Sequence, residues 1–408
     1  MNFSESERLF EEALKISPGG VTSERHPSKF IPGKYPIFLD KGDGSHIWDV
    51  DGNEFIDWIC SYGPLVLGHC NKNVDNAVIE NINNGFCFTL FNPIHNELIK
   101  KIIELIPSAE MVKILTSGSD ATAAAIRIAR VYTGKNKVIR WGYHGWHDWS
   151  YAGAGTDKIV IGVPNGAIED ILTFEYNNLD SLYEVFKKNK SEVACVIMQP
   201  FEASKELPKE GFLEGVKKIT RENEAVLIFD EIRTGFRVAL GGAQQYFNVI
   251  PDLSCFSKAL ANGYPISVVV GKKEVMLPSQ QTRISGTFFP NTFPMVAALA
   301  TIKEIEDRNG IEFMWSQGRK LVKGFEQLIN DLKIEAKMIG IPVLPMLKFT
   351  GNDSKRNNIL KEIFFGEMIK RGIFLHPNHH WFLSLAHTDK DIFCTLNAAE
   401  FSFSKLKK

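Results

Sequence analysis

Six short apolar runs in the middle of the chain constrain its fold more than any other feature. They lie at residues 112–115, 138–141, 193–198, 226–229, 253–256 and 266–270. None of them alternates regularly between apolar and polar residues, and strands of that kind are buried on both faces. Helical periodicity follows the first run, over residues 121–130. The pattern predicts an α/β fold in which helices cover a mostly parallel central sheet.

The two ends of the chain show a different pattern. Residues 4–16 have helical periodicity, with Ser4 and Glu7 spaced as a capping box. Glycine and Asp-Gly-Asn turns then separate three short apolar runs between residues 38 and 58, which predicts antiparallel strands. A long helical stretch from residue 291 to about residue 332 precedes mixed strand and helix patterns at the C-terminus.

These changes of pattern predict two domains in a chain of 408 residues, which is long enough to build more than one core. The large domain is expected over residues 61–300 and contains the parallel sheet. A smaller α+β domain is expected from both termini, residues 1–60 and 301–408.

Charge and cysteine content narrow the function classes. Lys and Arg number 47 against 48 Asp and Glu, a formal net charge of −1, so no overall field favours nucleic acid or a membrane surface as a partner. The six cysteines form no CxxC pair, which is typical of free thiols in a reducing compartment. The N-terminus lacks a signal-peptide pattern and no apolar run reaches eighteen residues. We therefore expect a cytoplasmic protein.

Ligands of an open α/β sheet bind beyond the carboxyl ends of its strands, and the first of these ends carries Gly118 and Ser119. Small residues at a helix N-terminus offer backbone N–H groups and a favourable dipole to a phosphate. The alternative is a plain N-cap, which Ser119 would serve equally well.

Asp230 ends another run. A buried carboxylate there needs a cationic or N–H partner. An ion pair with Arg233 or Arg237 is the structural alternative.

Lys258 and Tyr143 follow two further strand ends. A desolvated lysine amine becomes nucleophilic enough to form a Schiff base, although a lysine whose ammonium group reaches water is the commoner case. An aromatic side chain between glycines suits stacking on a flat ring, or simply plugs a gap. The nearby His144 and His147 lack a third ligand at suitable spacing, and we predict no metal site. Together the four strand ends supply what pyridoxal 5'-phosphate requires: a lysine, a carboxylate, a stacking ring and a phosphate cradle.

A series of motifs extends this pattern along nearly the whole chain. Its members are Ser17-Pro18-Gly19-Gly20-Val21, Trp48-Asp49-Val50-Asp51-Gly52-Asn53, Gly63-Pro64-Leu65-Val66-Leu67-Gly68-His69, Ser117-Gly118-Ser119-Asp120-Ala121, Tyr143-His144-Gly145, residues 230–237, Gly286-Thr287 and Leu383-Ser384-Leu385-Ala386-His387-Thr388. With these motifs the chain resembles the fold-type I, class III pyridoxal-phosphate aminotransferases. Within that class it is most similar to the glutamate-1-semialdehyde 2,1-aminomutases.

The resemblance implies a role for each matching residue. It makes Lys258 the Schiff-base lysine and Asp230 the partner of the pyridine nitrogen, both of them catalytic. The remaining cofactor contacts that it implies are Tyr143 and Ile232 on the two ring faces, Gly118 and Ser119 at the phosphate, Thr287 from the other subunit of a homodimer with shared active sites, and Glu202 near the phenolic oxygen.

Two segments depart from the aminomutase pattern where substrate is contacted. The family's carboxylate-binding arginine is replaced by His26, with Arg25 one position earlier. The loop before Phe382-Leu383-Ser384 reads His-Pro-Asn-His-His-Trp, and includes His379 and His380. We take these four residues as substrate candidates.

The resemblance implies amino-group transfer between a small-molecule amine and an aldehyde, ketone or keto acid. Intermolecular transfer is favoured because the substrate segments differ, and the aminomutase reaction remains the alternative. A cofactor-binding protein without catalysis is disfavoured by the presence of Lys258 and Asp230. A nucleotide-binding α/β protein is disfavoured because no Walker or GxGxxG motif follows a strand.

Overall fold

The computed structural model describes residues 1–22, 26–151, 161–202 and 206–407. Its strands are β1 (Leu39–Asp43), β2 (His46–Asp49), β3 (Glu54–Asp57), β4 (Met111–Leu115), β5 (Lys137–Trp141), β6 (Ile171–Thr173), β7 (Val193–Met198), β8 (Val226–Asp230), β9 (Leu253–Phe256), β10 (Ser267–Gly271), β11 (Ala336–Ile341), β12 (Leu344–Phe349) and β13 (Ile373–Phe374).

Its α-helices are α1 (Ser4–Ile16), α2 (Lys72–Ile82), α3 (Ile94–Leu105), α4 (Gly118–Thr133), α5 (Asp148–Tyr151), α6 (Asn165–Glu169), α7 (Leu179–Lys188), α8 (Phe212–Glu222), α9 (Ala243–Tyr246), α10 (Lys273–Met276), α11 (Thr292–Asp307), α12 (Gly310–Asp331), α13 (Ser354–Ile369) and α14 (Asp389–Ser404).

The structure divides into two compact units. The large unit holds residues 73–202 and 207–307, and the smaller unit holds residues 1–72, 203–206 and 308–408. Residues 61–72 lie with the smaller unit because their backbone pairs with its C-terminal part: the Leu385 N–H donates to the Val66 carbonyl at 2.8 Å.

A seven-stranded sheet forms the centre of the large unit in the part of the chain that the structure describes. Its strand order is β4-β10-β9-β8-β7-β5-β6. Strand β10 runs antiparallel to both of its neighbours, and the pairs from β9 to β6 are parallel. The expectation of a mostly parallel α/β sheet is confirmed.

Helices cover both faces of this sheet because its inner strands carry apolar side chains on both faces. Cys195 and Ile197 of β7 pack in one core with the small residues of α4, which allow that helix to approach closely. Val196 and Met198 pack in a second core with α7 and α8. Every residue of β7 is buried, which is why its sequence shows no alternation.

The smaller unit contains the predicted antiparallel strands. β1, β2 and β3 pair in sequence order, and β13 adds to β3 in parallel from more than three hundred residues further along the chain. β11 and β12 form a separate hairpin. No helix among the described residues is long and apolar enough to span a membrane.

Three local expectations were wrong or incomplete. α1 has no capping box; instead the Asp51 carboxylate accepts the N–H groups of Glu5 at 2.8 Å and Ser6 at 2.9 Å. The long helical stretch is two helices, because Asn309 between α11 and α12 has a left-handed φ of 47°. Strand β6 was missed, since three residues are too few for a recognisable pattern.

Candidate active site

The predicted functional residues of the large unit lie at one edge of its sheet. Since β10 is antiparallel to both β4 and β9, β4 runs in the same direction as the parallel strands. The carboxyl ends of β4, β5, β7, β8 and β9 therefore share an edge, which is the ligand-binding edge of open α/β sheets. Gly118, Tyr143, Glu202, Asp230 and Lys258 each follow or end one of these strands.

The N-terminus of α4 presents backbone donors that suit an anion. Ser117 and Asp120 form a capping box, in which the Ser117 hydroxyl accepts the Asp120 N–H at 3.2 Å and the Asp120 carboxylate accepts the Ser117 N–H at 2.8 Å. Among the described residues, the N–H groups of Gly118 and Ser119 have no acceptor. The cap therefore leaves two backbone donors at the positive end of the helix dipole.

Close packing fixes this cradle to the loops around it. A Cβ atom at Gly118 would lie 2.9 Å from Cδ1 of Ile232, and a Cβ atom at Gly145 would lie 2.3 Å from Oγ of Ser119. The Thr122 hydroxyl of α4 also donates to the His144 carbonyl at 2.7 Å. The structure thus brings Ile232 against Gly118, and the Tyr143 loop against Ser119.

Asp230 ends β8 with only 3% of its surface exposed. Its Oδ2 lies 2.7 Å from Nδ1 of His144, and its Oδ1 accepts the Ile232 N–H at 3.1 Å. Nε2 of His144 lies 3.0 Å from the Trp141 carbonyl. Neither a carboxylate nor a carbonyl can donate, so both ring nitrogens must carry a hydrogen for both contacts to be hydrogen bonds. The geometry therefore holds the buried Asp230 carboxylate against the His144 ring, which the Trp141 carbonyl orients from its other side.

The neighbouring Glu231 has a different environment. It is fully buried, and it accepts hydrogen bonds from the Thr234 hydroxyl and from the N–H groups of Ala243 and Gln244, the last two at 2.7 Å. Burial raises the pKa of Glu231 to about 7, against the opposing effect of these donors. Glu231 thus anchors the start of α9 to the end of β8.

Lys258 begins a 3₁₀ turn directly after β9 and Ser257. Its φ of +49° lies in the left-handed region, as does the φ of +45° at Asn262. A non-glycine residue in that region costs on the order of 1 kcal/mol or more. The Ser257 hydroxyl donates to the Ile266 carbonyl at 2.7 Å and ties the turn to the residue before β10. The backbone thus fixes Lys258 in a strained, partly buried position.

Tyr143 is held through its backbone while its side chain remains 55% exposed. Nε2 of Gln199, at the end of β7, donates to the Tyr143 carbonyl at 2.8 Å. The buried Arg140 guanidinium donates to the carbonyls of Gly142 and Ser150, and burial lowers its pKa to about 10. Both contacts fix the backbone of the Tyr143 loop, and an exposed aromatic ring suits stacking on a flat ligand.

Thr287 is an exposed residue in the loop before α11. The start of α11 is connected to an apolar segment, since the Thr292 N–H donates to the Phe86 carbonyl at 2.9 Å. In that segment Leu90 and Phe91 are 78% and 71% exposed, and Phe288 beside Thr287 is 65% exposed. Large apolar side chains at this exposure are typical of regions that bind a protein partner.

The substrate candidates other than Arg25, which lies outside the described residues, belong to the smaller unit. His26 caps a short 3₁₀ turn, where its Nδ1 accepts the Ser28 N–H at 3.1 Å. Nδ1 of His379 contacts the His380 carbonyl at 2.8 Å, and its ring meets Tyr62 edge-on at 5.4 Å. His380 is buried. The structure therefore brings His379 and His380 together.

Sequence reasoning missed His144 as a partner of Asp230. It considered that histidine only as a metal ligand, and the described residues contain no group of side chains that could hold a metal ion. β5 and β8 are separated by β7 in the sheet, so the pair is visible only once the strand order is known. The one available signal was chemical, namely that a buried carboxylate at a strand end requires a donor.

This fold, with an anion cradle, a buried carboxylate and a lysine at one sheet edge, defines a class of enzyme that uses pyridoxal phosphate. The sequence profile of the class-III aminotransferases matches residues 31–384. The chain belongs to the class-III aminotransferase family, whose members act on small molecules with pyridoxal phosphate as cofactor.

Three similar proteins illustrate the family's range. A 3-aminobutyryl-CoA aminotransferase of Cloacimonas acidaminovorans is 42% identical, with 100% of this chain and 99% of that protein aligned. A glutamate-1-semialdehyde 2,1-aminomutase of Archaeoglobus fulgidus is 37% identical over 98% of this chain and all of that protein. The FumI protein of Sphingopyxis sp. MTA144, solved as its pyridoxal-phosphate internal aldimine, has a TM-score of 0.93 at 28% identity and covers 99% of this chain and 97% of its own.

Proposed function

We propose that this enzyme is an intermolecular aminotransferase whose amino donor is a 3-aminoacyl thioester of coenzyme A. The observation that carries the proposal is the 42% identity, over the full length of both chains, to a 3-aminobutyryl-CoA aminotransferase. In the first half-reaction the amino group would pass from the thioester to the cofactor and leave a 3-oxoacyl thioester. In the second half-reaction a keto acid would accept it and become an amino acid.

The residues of the large unit fit pyridoxal phosphate. The unpaired N–H groups of Gly118 and Ser119 suit the phosphate, and Lys258 suits covalent attachment of the aldehyde. Tyr143 and Ile232 are assigned to the two faces of the ring. When bound, the cofactor supplies a protonated pyridine ring that withdraws electrons from the substrate carbon.

Asp230 would keep that ring nitrogen protonated. Its Oδ2 contacts the His144 ring at 2.7 Å, and its Oδ1 accepts a backbone N–H, so the carboxylate is held in one orientation with its negative charge stabilised. Lys258 would then act as the general base that removes the proton from the amine-bearing carbon of the substrate. Its amine is available for this because it is released when substrate binds.

The histidine-rich loop of the smaller unit supports a substrate whose acyl part carries no free carboxylate. His376 lies edge-on to Tyr62 at 5.7 Å, beside His379. Burial, with the nearby charge of Lys29, lowers the pKa of His376 to about 4, so its ring is neutral at pH 7. A neutral ring suits the uncharged acyl part of a thioester better than a carboxylate. We assign His26, His379 and His380 to substrate contacts on this basis.

The functional state is proposed to be a homodimer with shared active sites. A second copy covering Leu90, Phe91 and Phe288 would remove exposed apolar surface and bring Thr287 to the partner's phosphate cradle. Light scattering of the Leu90→Glu variant tests this: a monomer that binds cofactor weakly is expected. An active monomer of the unaltered protein would remove Thr287 from the site.

The donor is tested by adding one compound at a time to the holoenzyme without an acceptor and recording the visible absorption band. We expect 3-aminobutyryl-CoA to convert the cofactor to its pyridoxamine form, and free 3-aminobutyrate to do so far more slowly. The alternative function, favoured by the 37% identity to an aminomutase, predicts turnover of glutamate-1-semialdehyde alone. Conversion by that compound and not by the thioester would refute the proposal.

A further inference from the structure

Arg233 is a partly buried cation of the large unit that the proposed function does not use. It follows Ile232 in the turn after β8. Its Nε and Nη1 atoms are closed off from solvent and have no hydrogen-bond partner among the described residues. Leaving a buried charged donor unpaired is costly, so this arrangement is expected to persist only where a ligand supplies an acceptor.

The charges around Arg233 place it at the ligand edge of the sheet. Burial lowers the pKa of its guanidinium, and Glu202, Asp230 and Tyr143 oppose that effect, in this order of strength. These three residues end or follow three different strands, β7, β8 and β5. Ile232 packs against Gly118 of the phosphate cradle, whereas Arg233 interacts with the groups assigned to the ring. We therefore assign the free N–H groups of Arg233 to the part of the site that would bind the ring, and not to the phosphate cradle.

We propose that Arg233 is a ligand-binding residue whose Nε and Nη1 donate to an oxygen anion or carbonyl oxygen of the bound cofactor or substrate. A guanidinium presents two parallel donors to such an oxygen. The carboxylate of Glu202 balances its charge. This assignment rests on cofactor binding as proposed above, and not on the identity of the amino donor. It replaces the sequence-based alternative in which Arg233 only neutralises Asp230, since His144 already pairs with Asp230 at 2.7 Å.

The test compares Arg233→Met and Arg233→Lys with Arg221→Met, a matched control at an exposed arginine in α8 of the same unit. Each apoenzyme is titrated with pyridoxal phosphate, and the pH midpoint of the visible band is measured without substrate. If the acceptor is a cofactor oxygen, Arg233→Met weakens cofactor binding roughly tenfold to a hundredfold. The midpoint then moves to higher pH, because a cation favours the less protonated chromophore.

If the acceptor is a substrate oxygen, the spectrum and cofactor affinity of Arg233→Met stay as in the control, and KM for the amino donor rises by a similar factor. Arg233→Lys keeps the positive charge but lacks the two parallel donors of the guanidinium. It is expected to show a smaller loss of cofactor affinity, or a smaller rise in KM, than Arg233→Met. Loss of thermal stability with unchanged cofactor affinity, pH midpoint and KM would overturn the assignment. Failure of the unaltered apoenzyme to bind pyridoxal phosphate would instead refute the proposed function.

Discussion

The substitution Gly145→Ala tests whether the cradle at α4 holds the cofactor phosphate. Gly145 has a φ of +108°, and a Cβ atom there would lie 2.3 Å from Oγ and 3.1 Å from Cα of Ser119. The backbone strain alone costs on the order of 1–3 kcal/mol. Because Cα of Ser119 cannot rotate away, either the Tyr143 loop or the first turn of α4 must shift. The Thr122 bond to the His144 carbonyl resists this shift.

The expected loss of affinity follows from the bonds that this shift breaks. A hydrogen bond to a charged group contributes about 1.5–3 kcal/mol, so loss of one phosphate contact weakens pyridoxal phosphate roughly tenfold to a hundredfold. The assay is absorbance titration of the apoenzyme. The control is Gly134→Ala at the other end of α4, where φ is +68° and no atom lies within 4 Å of the added carbon. If both variants bind the cofactor equally well, the cradle has been misassigned.

Two further predictions concern the smaller unit and are measured by urea unfolding of the apoenzyme. Asp51→Ala removes the acceptor of two α1 N–H groups and is expected to cost about 1 kcal/mol, whereas Ser4→Ala costs little; a larger loss in Ser4→Ala than in Asp51→Ala would contradict this assignment of the cap. The pKa of His376 is lowered from 6.5 to about 4, so the folded state resists its protonation and stability falls as pH drops from 6.5 towards 4, by up to about 3 kcal/mol. His376→Gln should flatten that part of the pH profile, and an unchanged profile would contradict the buried neutral ring.

Local sequence pattern was sufficient for the sheet of the large unit except its edge strand β6. β7 and β8 are apolar on both faces, and such strands are recognisable without knowing their neighbours. The position of Asp230 and Lys258 at strand ends follows from the same runs. The stacking role of Tyr143 and the phosphate role of Ser119 remain predictions.

Contacts between distant segments could not be predicted in the same way. The pair of His144 and Asp230 depends on strand order, and the unpaired nitrogens of Arg233 depend on what surrounds them after folding. Asp51 could be recognised as the cap of α1 only once the turn before β3 was placed beside that helix. The partners of Asp230 and of α1 lie more than forty residues away in the sequence, and Arg233 is defined by the absence of a partner. Neither feature leaves a pattern in the local sequence.

The central claim is that Lys258 carries the cofactor at this edge of the sheet. Borohydride reduction of the holoenzyme, followed by peptide mass mapping, tests it most directly. We expect the phosphopyridoxyl label on Lys258, no label in Lys258→Ala, and normal labelling of Lys258 in Lys272→Ala, a control in which the replaced lysine pairs with Asp252. A label on another lysine in the unaltered protein, or persistent labelling of Lys258→Ala, would contradict the claim.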